Sequence, residues 1–317
     1  MLSNRIGVAL TTALAPAIWG TTYLATTELL PPGRPLLAAV IRALPAGLAL
    51  VTLTRRLPQG SWWWRTLVLG ALNIGAFFAL LFIAAYRLPG GVAATFLAIQ
   101  PLLAAGLSTR LLGERLTLRV VFTGLAAVVG VSLLVLRSNA RLDGLGIAAA
   151  IGSAAVMATG LVLSKRWVPP APVLAVTGWQ LVGGGLLLLP IALLVEGPPP
   201  TTLTLTNLAG YLYLAIIGSA LSYALWFRGV RSLSPTSVAF TGLLSPVVAT
   251  ALGWLVLGQG LTAGQMLGGA IVLASLIAAQ DRTPTARVVP HPSPVRAPDT
   301  DPGSEHASVV GRIQGRG

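Results

Sequence analysis

Apolar residues in this chain run in long blocks rather than in the alternating or one-in-three-or-four patterns of soluble strands and helices. Residues 66–86, 88–109, 144–164, 167–195, 197–227 and 232–280 contain no charge, and 120–136 form a shorter uncharged run. Residues 6–33 and 35–54 hold one charge each, Glu28 and Arg42. A helix crossing the hydrocarbon core needs roughly 17–25 mostly apolar residues. The longest run breaks at Gly258-Gln259-Gly260, a turn signal inside an apolar segment. The pattern predicts ten spans, over about 7–28, 35–54, 66–86, 90–111, 117–136, 143–164, 171–194, 206–227, 234–257 and 261–280. The first continues through Trp19 and Tyr23 to about residue 28, too long for the apolar core of a signal peptide, and reads as uncleaved. Residues 281–317 hold six prolines, both histidines and mixed charge, and read as a disordered tail.

Composition removes the soluble alternatives. Of 317 residues, 55% are hydrophobic and 9% charged, against about 25% charged in an average soluble domain. The net charge of +13 raises nucleic-acid binding. The basic residues, however, stand singly between apolar runs and give phosphates no patch to follow, so no nucleic-acid partner is expected. Cysteine is absent, and His291 and His306 both fall in the tail. The acids outside the tail, Glu28, Glu114, Asp143 and Glu196, are far apart. That leaves no triad, metal cluster or carboxylate pair, and no Gly-Lys-Ser/Thr nucleotide loop. Neither catalysis nor a metal or cofactor is expected, and transport would draw on an ion or substrate gradient, a coupling proton being one candidate.

Basic residues set the orientation, because they are retained on the cytoplasmic side. With the N-terminus inside, Arg5, Arg55, Arg56, Arg65, Arg110, Arg115, Arg119, Lys165, Arg166, Arg228 and Arg231 are cytoplasmic, 11 against the 4 external residues Arg34, Arg87, Arg137 and Arg141. Both termini are expected in the cytoplasm and the chain in the cytoplasmic membrane, in contact with its lipids.

The sequence also matches itself at an offset of 145. Phe82, Leu88, Ala94, Pro101, Leu112, Gly113, Leu116, Thr117 and Gly124 recur as Phe227, Leu233, Ala239, Pro246, Leu257, Gly258, Leu261, Thr262 and Gly269. Each copy holds an odd number of spans, so the second is expected upside down. The charges agree: cytoplasmic Arg110, Glu114, Arg115 and Arg119 correspond to uncharged Leu255, Gln259, Gly260 and Gly264. The expected fold is all-α, with ten transmembrane helices in two inverted five-helix repeats, 1–136 and 137–280, followed by the cytoplasmic tail 281–317. Inverted repeats are the recurring plan of secondary transporters, which expose a midplane site to alternate sides.

Trp19-Gly20-Thr21-Thr22-Tyr23, then Arg42-Ala43-Leu44-Pro45-Ala46-Gly47-Leu48, then Gln100-Pro101 and Leu112-Gly113-Glu114-Arg115-Leu116-Thr117 follow in order. In this arrangement residues 1–280 resemble the EamA-type members of the drug/metabolite transporter superfamily. The resemblance implies an inner-membrane carrier, commonly an exporter of amino acids or other small metabolites. Where many relatives have a lysine late in the first span, this chain has Thr26, Thr27 and Glu28. The competing function is a membrane scaffold or lipid-interacting protein that moves no solute.

Ionisable groups within spans are functional candidates. Arg42 and Glu28 flank one short loop, and either pair with each other, or Arg42 anchors an anionic substrate group or Glu28 cycles a proton. Trp19, Tyr23 and Thr26 share one helix face. Gln100-Pro101 and Ser245-Pro246 are mirrored, each proline freeing the carbonyl four residues earlier, Leu97 or Gly242. Asn73, Tyr223 and Thr241 are further polar candidates at mid-span depth. Trp62-Trp63-Trp64 beside Arg65 reads as an interfacial anchor. Gly183-Gly184-Gly185 and Gly264-x-x-x-Gly268 read as helix-packing sites. The protein is expected to be a monomer or a weak homodimer.

Overall fold

In lipid every backbone amide must find its partner within its own segment, so the uncharged runs fold as helices. The computed structural model describes residues 2–88, 90–135, 143–200 and 202–280, without the side chains of residues 2–5, 23, 27, 85, 86 and 90–92. The tail 281–317 lies outside the described residues. Among those described, every regular element is helical. The elements are α1 (Leu2–Leu29), α2 (Pro35–Thr54), α3 (Trp62–Gly70), α4 (Ala76–Arg87), α5 (Gly90–Leu97), α6 (Gln100–Leu112) and α7 (Leu118–Val135). They continue with α8 (Gly144–Arg166), α9 (Val173–Glu196), α10 (Leu205–Ala215), α11 (Ser222–Ser232), α12 (Pro235–Gly242), α13 (Leu244–Leu257) and α14 (Ala263–Ala279).

Nine of the helical stretches described are long and apolar enough to cross a bilayer, and Ala263–Ala279 is a shorter apolar helix. Phe122, Leu194, Leu255 and Ile277 are among many large apolar side chains left exposed. Water-soluble surfaces rarely tolerate that, whereas lipid-facing ones require it. The fold is that of a multi-pass, all-α membrane protein.

Several irregularities recur at the offset seen in the sequence. A π-helical turn at Ala71–Gly75 joins α3 to α4, and another at Ile216–Leu221 joins α10 to α11. The fourth and ninth spans each break just before their Pro, at 98–99 and at Leu243. Gly113 and Gly258 end α6 and α13 in the left-handed region, at φ 69° and 63°, where a residue without Cβ is least strained. Helix contacts repeat as well: α1 packs on α13 as α8 packs on α6.

Small residues set the closest helix approaches, since lipid gives helices no hydrophobic reason to associate. A Cβ built on Gly184 would lie 2.5 Å from the Gly70 carbonyl oxygen, so α9 and α3 meet backbone to backbone. Gly268 of α14 meets Gly130 of α7 in the same way, at 2.6 Å. Gly264 makes no such approach; its nearest neighbour would be its own cap, Thr262 Oγ1, at 3.9 Å. Glu196, at the end of α9, accepts from the Leu36 and Leu37 amides at 2.7 and 2.8 Å, satisfying two of the orphan donors at the start of α2. Trp62 departs from the interfacial expectation. It opens α3 and is buried, whereas Trp63 and Trp64 are exposed. Arg65 lies over the rings of Trp62, Trp64 and Trp167 at 5.5–5.6 Å.

Candidate functional site

A cavity of about 330 Å³ lies between α1 and α2 on one side and α4 and α5 on the other, with Tyr223, Trp226 and the α12–α13 break closing it off. This is the lower end of the roughly 300–1,000 Å³ usual for ligand sites. The lining comes from the second half of α1, the first half of α2 and the second half of α5, and through α1 and α2 the cavity belongs to the end of the bundle that carries the loop 30–34.

Arg42 is the one formally charged residue on the wall and is 6% exposed. Its Nε donates to Ser219 Oγ at 2.9 Å and its Nη2 to the Gly218 carbonyl at 2.5 Å. Its guanidinium carbon lies 5.6 Å from the centroid of the Phe78 ring, within cation–π range. Nη1 has no acceptor among the described residues.

The π turn of the eighth span explains why Gly218 can hold Arg42. There the Ser222 amide donates to Ile217 and Ser219 instead of to Gly218 four residues back. The released Gly218 carbonyl accepts from Arg42 Nη2, from Ser222 Oγ at 2.6 Å and from Trp19 Nε1 at 3.2 Å. Trp19 also donates to Ser222 Oγ at 2.9 Å, and its ring tilts against Tyr223 and Trp226 with centroids 5.0 and 5.1 Å away. One irregular turn thus fixes the cation and the main aromatic of the wall.

A second polar contact occupies the corresponding place in the other half. Asn73 Nδ2, in the π turn of the third span, donates to Gln180 Oε1 at 2.7 Å and to Ser164 Oγ at 3.2 Å. Asn73 precedes Gly218 by 145 residues, and Gln180 follows Arg42 by 138. Around this contact no comparable cavity opens. Met157 and Leu161 of α8 belong to one buried cluster with Tyr223, Trp226 and Phe227 of α11 and Ala239 of α12, Met157, Tyr223 and Trp226 also facing the larger cavity. The pocket bordered by Ser164, Gln180 and Phe227 holds only about 20 Å³.

Among the expected site residues, Trp19, Arg42, Gln100 and Tyr223 are brought together on one wall. Thr26, Ser245-Pro246 and the carbonyl-bearing residues Leu97 and Gly242 line it as well. Gln100 has no side-chain hydrogen bond among the described residues. Three expectations change. Asn73 is buried in the contact with Gln180 and is absent from the wall. Thr241 is buried and turns its hydroxyl onto its own helix, donating to the Val238 carbonyl at 2.6 Å. Glu28 is exposed near the end of α1, off the wall. Arg42 takes Ser219 and Gly218, from another helix, in place of the expected Glu28. The wall therefore has no acid to carry a coupling proton among the described residues. The side chain of Tyr23 lies outside the described residues. Sequence reasoning missed Phe77, Phe78 and Trp226, because aromatic residues in an all-apolar helix carry no signal of which face they occupy.

These features define a multi-pass membrane protein with a polar-centred aromatic cavity. The family model described as the EamA-like transporter family matches residues 6–136 and again 144–279. The chain belongs to this family, and it is a membrane transporter, not an enzyme. It is 49% identical over 269 residues to Protein PecM of Dickeya dadantii (strain 3937), covering 84% of this chain and 90% of that protein. It is 33% identical over 277 residues to the chloroplastic WAT1-related protein At3g02690 of Arabidopsis thaliana, covering 81% of this chain and 66% of that protein. A probable amino-acid metabolite efflux pump of Salmonella typhimurium (strain LT2) is 29% identical over 228 residues, 67% of this chain and 75% of that protein. A solved crystal structure shares the fold at a TM-score of 0.73 and 20% identity, covering 86% of this chain and 98% of that one.

Proposed function

We propose that the protein is a secondary carrier that exports a small metabolite, an amino acid or a related compound, across the bacterial cytoplasmic membrane by alternating access. Its ten helices form two inverted five-helix repeats, 1–136 and 137–280, with both termini cytoplasmic. The observation that carries this reading is the unequal state of two corresponding interfaces. Between α1 and α4–α5 there is a cavity of about 330 Å³, whereas beside the corresponding Asn73–Gln180 contact the pocket between α8, α9 and α11 holds only about 20 Å³. Two mirror-related halves can exchange those states at little net cost, which delivers a solute from one face to the other. The conformation described is then the one open to the outside, because the loop 30–34, which joins the lining halves of α1 and α2, falls on the side poorer in basic residues. The name of the Salmonella relative supports an amino-acid metabolite as cargo and efflux as the direction.

The test is flux in proteoliposomes, with a panel of labelled amino acids and aromatic carboxylates. Wild-type protein should move at least one class, and Gln100→Ala should slow it while remaining monodisperse, since that amide has no hydrogen-bond partner to lose among the described residues. Failure of the wild type to move any member would favour a scaffold that holds lipid or protein and transports nothing.

A further inference from the structure

Resting on that reading, we infer that the solute bound at the cavity is an organic anion, a carboxylate on a ring-sized apolar body, seated on the free Nη1 edge of Arg42. Three observations carry it. Arg42 is 6% exposed and no carboxylate lies within ion-pair distance of it among the described residues. A guanidinium so placed is costly without an anion, and its planar fork suits a carboxylate. The two donors already committed, to Ser219 and Gly218, fix the fork's direction without neutralising it. The remaining wall is aromatic and apolar, with Phe78 beside the guanidinium, Phe77, Trp19 and Trp226 elsewhere on the lining, and only neutral hydroxyl and amide groups among them.

The same inventory ranks the alternatives. An amine would sit beside a cation with no acid to receive it. A zwitterion gains the carboxylate contact but, with its ammonium one carbon from the carboxylate, brings a like charge near Arg42, so it binds less tightly than the matched acid. A neutral amide keeps the shape and loses the charge. Gln100 and the Tyr223 hydroxyl, both on the wall, are available to the second oxygen of the carboxylate or to a polar group on the body.

The experiment uses the full chain in detergent and four probes with one phenyl ring: 3-phenylpropionate, L-phenylalanine, 3-phenylpropionamide and phenethylamine. Binding is read by tryptophan fluorescence and by the shift in Tm. A hydrogen bond to a charged group is worth about 1.5–3 kcal/mol, so 3-phenylpropionate should bind at least about tenfold more tightly than the amide or the amine, with L-phenylalanine between. Arg42→Lys should keep the order, and Arg42→Gln should erase the difference between acid and amide. Equal or tighter binding of phenethylamine, or an acid preference that survives in Arg42→Gln, would overturn the assignment. So would an absence of binding by all four. Flux separates this from the transport reading: an Arg42-dependent acid preference without movement of any solute across the bilayer would leave the anion site standing and remove the carrier.

Discussion

Replacing Arg42 by glutamine sets two opposed contributions against each other. The substitution removes charge-assisted hydrogen bonds to Ser219 Oγ at 2.9 Å and to the Gly218 carbonyl at 2.5 Å. Each is worth roughly 1.5–3 kcal/mol, together about 3–6. The Gly218 carbonyl keeps Ser222 Oγ and Trp19 Nε1, so the only acceptor stripped is the Ser219 hydroxyl. In the other direction, the variant no longer buries a guanidinium without an anion, a penalty of several kcal/mol. The two nearly cancel. At about 2–4 °C per kcal/mol for a domain of 150–250 residues, the Tm of the solute-free protein in detergent should stay within about 5 °C of wild type. Flux in proteoliposomes should nevertheless fall at least about tenfold. A Tm loss above about 10 °C, or loss of monodisperse protein, would refute the reasoning by making Arg42 a structural tie whose function follows from folding alone.

The corresponding contact should behave in the opposite way. Asn73→Ala leaves Gln180 Oε1 buried without its donor, and should cost about 1–3 kcal/mol in stability, read as a clear drop in Tm. Gly184→Val places atoms where the Gly70 carbonyl oxygen lies 2.5 Å from a built Cβ, and should lower the yield of folded protein, whereas Gly264→Ala should not. Deleting residues 281–317 should leave membrane insertion and flux near wild type, because a polar, Pro-rich segment has little to bury.

The helices were legible because uncharged runs of twenty residues have few other ways to exist, and their ends fell near the charges and glycines that mark them. The internal duplication was legible because Pro, Gly and Leu-Thr recur at one offset. The wall of the cavity was legible only in part. Trp19, Arg42 and Gln100 announce themselves as polar or amphipathic groups among apolar ones. Asn73 announces itself equally and is used for packing, because a buried amide needs a partner and Gln180 supplies it. The decisive partner of Arg42 carried no signal at all. Gly218 contributes a backbone carbonyl, released by a π turn that no residue type encodes alone. A sequence pattern also cannot say which of two corresponding interfaces is open.

The two halves offer a matched pair for testing the exchange of access. Ala94 is half-buried on the cavity wall, and Ala239, 145 residues later, is 1% exposed in the packed interface. The chain contains no cysteine, so Ala94→Cys and Ala239→Cys each carry a single thiol. The measurement is the reaction of each with a membrane-impermeant thiol reagent, applied separately to the two faces of sealed vesicles. Alternating access predicts that Ala94→Cys reacts only from the face bearing the loop 30–34 and Ala239→Cys only from the opposite face. It also predicts that conditions raising one rate lower the other. Reaction of both thiols from the same face, or rates that vary independently, would contradict it.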